Sequence, residues 1–425
     1  PLPEGDSWNE ANHKPGFISV RATLADDTIG AADEGLPAAY RNRETHWWDA
    51  SQIYGSSGER LKQVRSDPSG ELVPGGALYL DDENMLAIDP VNNIELTGVN
   101  GNWWLGLSLF TTLFVREHNT IAARLKVDYP EESDDWVFHK ARLINTALMT
   151  KIHTVEWTPS LLNSARTRFA QRGIWWGFLG EQYEKAYGRD INIDTFTGIP
   201  GSRAEHHASP YSITEEFVAV YRMHSLMPDN FTFRRLSDNS EIETRSLQAI
   251  AGEKAHDVYT KTSFENAWYS LSVAHCGALR LHNYPNSLRH LTKQTNKLGQ
   301  EGHVVDVATI DIVRDRERGV PRYCEMRRLL RMSVPKSFDE LTGDPETARE
   351  LADIYEHVED VDLLIGTLAE PLPPGFGFAE TAFRIFILMA NRRIKSDRFY
   401  TDDFNETTYT PFGMQWIQNN GLASV

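Results

Sequence analysis

The sequence predicts a mainly α-helical protein with few short strands. Three observations carry this: several long stretches have apolar residues at helical spacing, capping residues stand just ahead of some of them, and alternating strand patterns are scarce. Residues 1–44 hold turn formers without periodicity and read as an irregular arm. Trp103 to Lys126 reads as a long helix buried at one end. Trp136 to Val155 reads as a second, with Val137, Ala141, Ile144, Leu148 and Ile152 on one face and Asp135 as its cap. A third begins after Ser212, where Ser212-Ile-Thr-Glu215 matches a capping box, and runs through Tyr221 and His224 to Pro228. Further helices are expected near 263–282, 309–318, 321–331, 345–356 and 379–395. Phe231–Phe233 and Glu241–Thr244 could form one hairpin.

At 425 residues the chain is long enough for two or three domains, but no linker or internal repeat divides it, so 1–425 is read as one. The excess of 60 acidic over 43 basic residues, a net charge of −17, argues against nucleic acid as a partner. An anionic substrate would have to be met by a few placed cations. Cys276 and Cys324 are too few for a disulfide framework; one bridge is open to them, but they read more readily as two buried free thiols. No apolar run reaches the roughly 18 residues of a membrane span. A soluble or peripherally membrane-bound, intracellular protein is expected.

The chemistry centres on Tyr221-Arg-Met-His224. On a helix, residues i and i+3 share a face, so phenol and imidazole would point the same way. An imidazole can be an axial iron ligand, and a phenol beside a haem can be oxidised to a radical. Spacing alone favours the plainer reading of two satisfied core residues. The neighbouring motifs decide between them.

Thr45-His-Trp-Trp-Asp49-Ala-Ser51-Gln-Ile-Tyr54 resembles the calcium loop of animal-type haem peroxidases. Arg116-Glu-His-Asn119 resembles their helix motif, and Ile312-Val-Arg-Asp315-Arg-Glu-Arg318-Gly-Val-Pro321 their arginine-rich turn. Val361-Asp-Leu-Leu-Ile-Gly366 and Arg398-Phe-Tyr400 complete the order. Within that superfamily, Val220-Tyr-Arg-Met-His-Ser-Leu-Met-Pro228 is most similar to the proximal helix of the fatty acid α-dioxygenases, relatives of the cyclooxygenases. Ile152-His-Thr-Val-Glu-Trp-Thr-Pro159 and Asn391-Arg-Arg-Ile-Lys-Ser-Asp-Arg398 are similar to segments of the same enzymes.

The resemblance implies an animal haem peroxidase-like fold and an enzyme using haem b, calcium, a fatty acid and O2. It implies that His224 binds the iron and that Tyr221, as a radical, takes a hydrogen atom from C2. His153, Thr158, Arg392 and Arg398 would hold the substrate carboxylate; an arginine does this through two parallel hydrogen bonds. By residue type alone, Arg392, Arg393 and Arg398 read more readily as solvated cations near a helix C-terminus. Thr45, Trp47 (through its carbonyl), Asp49 and Ser51 would bind calcium, their alternation placing them on one side of an extended segment. Asp360 would accept a hydrogen bond from the His224 ring, or else sit at the start of the helix near Val361.

Two departures stand out. The family's distal histidine, in a His-Asp-Trp-Phe-like stretch ahead of the calcium loop, has no match; His13 and His46 lack its neighbours. The chain is therefore read as starting after that segment, which a separate polypeptide could supply, with weak haem retention otherwise expected. Where peroxidases of the family carry an arginine and an ester-forming glutamate, this sequence has Asn100 and Trp103. Non-covalent haem follows, with Asn100 beside the distal pocket. The competing readings are a haem peroxidase acting on small substrates with hydrogen peroxide, an oxygenase attacking mid-chain carbons, and an inactive haem-binding fragment.

Overall fold

The computed structural model describes residues 45–208, 211–292 and 304–425, together with Thr23, Asp26, Gly30 and Tyr40. The predicted irregular arm and His13 otherwise lie outside the described residues. Helices dominate, joined by two two-stranded antiparallel sheets, Asn230–Arg234 with Glu241–Ser246 and Leu291–Thr292 with Val304–Val305. Among the described residues no helix is long and apolar enough to cross a membrane. The residues gather into two compact units. One holds 213–229 and 275–388 with the described residues before 44; the other holds 44–212, 230–274 and 389–425.

The larger unit is built on the helices Leu105–Asp128 and Asp134–Ile152. Ile121, Leu125, Val137, Ala141 and Ile144 bury one seam, closed by Trp175, Tyr400, Phe404 and Tyr409. The second helix is capped by Ser133, whose hydroxyl accepts from Trp136 N at 3.2 Å; Asp135, the expected cap, is in the first turn. It does not stop near Val155. It passes through a π-turn, His153–Trp157, into Thr158–Leu161. Gly76 packs under this helix with φ 72°, and a Cβ there would stand 2.6 Å from Asp134 O and Phe138 N. Only glycine fits.

The Arg116-Glu-His-Asn119 motif is a staple in this unit. His118 Nδ1 meets the Tyr54 hydroxyl and Nε2 meets Gly76 O, each at 3.0 Å. Burial lowers its pKa to about 4, so the ring is neutral. Asn119 bonds both backbone groups of Leu78, Glu117 accepts from Trp416 Nε1 at 2.6 Å, and Arg116 lies 4.3 Å from the Phe264 ring.

In the smaller unit the arginine-rich turn converges on Asp362, which is 3% exposed. Arg316 approaches it through Nε at 2.8 Å and Nη2 at 2.6 Å, Tyr355 donates at 2.8 Å, and Arg322 adds a fourth bond. Gly366 lets the Tyr323 ring lie against the Leu363–Ala369 helix; a Cβ would fall 2.2 Å from the ring.

The helix expected over 263–282 ends at Val273. Beyond it the backbone is used elsewhere: Gly277 N donates to Leu226 O at 3.0 Å, and Asn283 Nδ2 to Ser225 O at 3.1 Å. This ties the segment to the turn carrying His224. Both cysteines are free, but Cys276 is exposed, which corrects the expectation of two buried thiols; Cys324 is buried.

Candidate functional site

In the smaller unit, Thr214 rather than Ser212 caps the helix Glu215–Val220, its hydroxyl accepting from Phe217 N at 3.3 Å. This helix stops at Val220 and does not run on to Pro228. Tyr221 (φ −90°, ψ 18°) and Met223 (φ −91°, ψ 25°) leave helical geometry, and His224–Leu226 is a single 3₁₀ turn. The expected i, i+3 face is therefore replaced by a bend.

Tyr221 is stacked between Phe217, at 5.0 Å and 17°, and Phe386, at 5.7 Å and 5°. An aromatic sandwich fixes the plane of the phenol. His224 Nδ1 lies 3.2 Å from Asp311 Oδ2, within ion-pair reach though not aligned for a hydrogen bond. Asp311 is 2% exposed and stands on the helix Val307–Glu317. Arg222 Nη1 reaches Asp311 Oδ1 at 3.2 Å, and the Tyr284 hydroxyl reaches Oδ2 at 3.5 Å. One helical turn on, burial pushes the Asp315 carboxyl up to about 7, with Arg222 opposing and Asp311 adding to the shift.

In the structure Asp360 makes no hydrogen bond or ion pair to this ring. It is exposed, and its carboxylate accepts from His357 N at 3.2 Å within its own turn. The acid beside His224 is Asp311, which sequence reasoning missed because long-range contacts leave no local signal. His224 Nε2 has no hydrogen-bond partner among the described residues, and the side chain is 32% exposed. One ring nitrogen on a buried acid and the other open is the donor arrangement an axial iron ligand requires. These residues fit a haem.

In the larger unit, the π-turn positions His153. A π-turn is a frequent marker of a functional position. Its ring stacks on Trp157 at 4.7 Å and 18° and meets Trp48 at 5.0 Å. Burial, with help from Arg393, lowers its pKa to about 4, so the ring is neutral. Thr158, 2% exposed, donates its hydroxyl to His153 O at 2.8 Å.

The arginines separate. Arg393 lies 4.6 Å over the Trp48 ring with its Nε buried, and its Nη2 donates to Trp47 O at 2.8 Å. Arg392 lies 5.9 Å from the Tyr211 ring. Arg398 is 71% exposed and paired with Asp403 at 2.5 Å, because the helix Glu380–Ser396 ends before it. The structure thus gathers His153, Thr158 and Arg393 around two tryptophans and leaves Arg398 outside. The half-buried place of Arg393 was legible: it falls at i+7 from Phe386 and i+4 from Met389, on the same helix face.

The Thr45–Ser51 segment is bent, not extended. Ala50 is left-handed at φ 52°, and Ser51 opens the helix Ser51–Tyr54. Thr45 Oγ1 accepts from Trp47 N, Asp49 Oδ1 accepts from Ser51 N, and Trp47 O faces the Arg393 guanidinium. A cation at Trp47 O would meet that positive charge, and Asp49 brings the one carboxylate of the four. As placed, they do not fit calcium. A cavity of about 930 Å³ opens beside this loop, lined by Trp48, Asp49, Arg142, Asp397 and Arg398 among others. Asn100 is half-buried on a turn, its amide donating to Glu95 O at 3.4 Å, and Trp103 donates to the Glu95 carboxylate at 2.6 Å.

The helical architecture and this tyrosine–histidine turn define a class. Residues 1–425 match the animal haem peroxidase family model, and the chain belongs to that family. It is 38% identical to rice α-dioxygenase PIOX over 402 residues, covering 92% of this chain and 64% of that protein. It is 39% identical to Arabidopsis thaliana α-dioxygenase 2, covering 88% and 60%. The crystal structure of rice fatty acid α-dioxygenase, in a Tyr-to-Phe variant with palmitic acid, is similar with TM-score 0.82 at 38% identity, covering 88% of this chain and 62% of that one. The chain spans 60–64% of the length of these relatives.

Proposed function

We propose that this chain is the catalytic body of a haem-dependent fatty acid α-dioxygenase that converts a fatty acid and O2 to a 2-hydroperoxy acid. The observation that carries it is the Tyr221–His224 turn: a phenol held in an aromatic sandwich beside an imidazole seated on a buried acid. The α-dioxygenase relatives support the same reading.

Non-covalent haem b, held by His224, would supply the one-electron oxidant. Tyr221 gives up an electron and its phenolic proton. As a radical it takes a hydrogen atom from C2 of the substrate and becomes phenol again. O2 adds to the C2 radical, and the resulting peroxyl group takes a hydrogen atom back from Tyr221. The bonds balance, and the tyrosyl radical is regenerated. Neutral His153, Thr158 and a helix arginine would bind the substrate carboxylate, the arginine through two parallel hydrogen bonds. The clamp residues of this proposal are His153, Thr158 and Arg392, joined by Arg393, the half-buried cation beside His153. Calcium enters only if Arg393 leaves Trp47 O.

The test is a haem titration of the 425-residue chain followed by oxygen uptake with palmitate. A Soret band with 2-hydroperoxide product supports the reading. Oxidation of phenols by hydrogen peroxide with no palmitate turnover would favour the peroxidase alternative.

A further inference from the structure

Arg222 and His224 are two residues apart, yet both reach one carboxylate. On an α-helix each residue turns about 100°, so side chains at i and i+2 point to nearly opposite sides. Here the chain leaves the helix after Val220, and the bend at Tyr221 and Met223 brings both side chains round to Asp311. Arg222 Nη1 lies 3.2 Å from Oδ1, and His224 Nδ1 lies 3.2 Å from Oδ2. Asp311 is 2% exposed, so solvent screens neither contact strongly. The Tyr284 hydroxyl also approaches this carboxylate, 3.5 Å from Oδ2.

We propose that Arg222 is a positioning residue that sets the reduction potential of the haem iron, acting through Asp311 on His224. The inference rests on the reading of His224 as the axial ligand. A full carboxylate 3.2 Å from Nδ1 places negative charge beside the ligand and so stabilises the oxidised state of the metal. Arg222 draws charge from the same carboxylate and weakens that effect. A guanidinium is always protonated, so this brake is permanent. The break in the helix between Tyr221 and His224 is what the arrangement requires; a continuous helix would turn Arg222 away from Asp311.

The measurement is the ferric/ferrous midpoint potential of the haem-loaded full chain in a double-mutant cycle. Arg222→Gln is expected to shift the potential negative, Arg222→Lys to retain most of the wild-type value, and Asp311→Asn to shift it positive. In the Asp311→Asn background, Arg222→Gln is expected to add no shift. An equal shift in both backgrounds would show that Arg222 does not act through Asp311 and would overturn the inference. So would an unchanged potential in a folded, haem-loaded Arg222→Gln chain. Bound haem whose axial-ligand spectrum survives His224→Gln would instead overturn the ligand reading, and the relay with it.

Discussion

Replacing Asp362 by alanine should destabilise the smaller unit far more than the same change at Asp360, two positions away. Asp362 is 3% exposed and accepts from both nitrogens of Arg316, from Arg322 and from the Tyr355 hydroxyl. Hydrogen bonds to a charged group contribute about 1.5–3 kcal/mol each. Arg316 and Arg322 are 49% and 40% exposed, so both recover water when the acid is lost. The four bonds therefore do not sum, and about 3 kcal/mol is expected, near the low end for breaking a buried pair. Asp360 is exposed and makes a single bond to its own turn, so its loss should cost under ~1 kcal/mol. Urea midpoints of the two variants, compared at constant slope, measure this. Equal effects would refute the reasoning that the turn is organised on Asp362.

Other consequences are equally direct. His118 and His153 are held neutral in the folded state, with pKa values lowered to about 4. The unfolded chain binds protons that the folded one does not, so stability should fall as pH drops from about 6.5 toward 4, by on the order of 3 kcal/mol per histidine; a urea midpoint flat across that range would contradict the assignment. Gly76→Ala combines left-handed φ with a Cβ 2.6 Å from backbone atoms, so a loss of about 2–3 kcal/mol is expected in thermal melts. Arg393→Gln should raise KM for palmitate at least tenfold while Arg398→Gln leaves it within about twofold, since loss of a charged hydrogen bond is worth over ~1.4 kcal/mol; the reverse order in steady-state oxygen uptake would place the clamp at Arg398.

Much of the fold was legible because helical periodicity is strong where both ends of a helix are set by local chemistry. The spans expected over 345–356 and 379–395 appear as Pro345–Ile354 and Glu380–Ser396. Asp344 and Ser133 act as caps through bonds that the sequence encodes locally. The failures are tertiary. The helix through Tyr221 breaks where Arg222 and His224 both turn to Asp311, a residue far along the chain. The 263–282 helix ends early because Gly277 and Asn283 bond the His224 turn. Asp360 and Asp362 differ only in burial, which two neighbouring acids cannot reveal, and Ser51 was placed on an extended segment that Ala50 bends into a helix.

Substitution of Tyr221 by phenylalanine tests the central claim most directly. The ring sandwich between Phe217 and Phe386 needs no hydroxyl, so haem binding and the fold should be unchanged while palmitate-dependent oxygen uptake falls to background. A Tyr221→Phe chain that still forms 2-hydroperoxypalmitate at the wild-type rate would contradict a tyrosyl radical at this position.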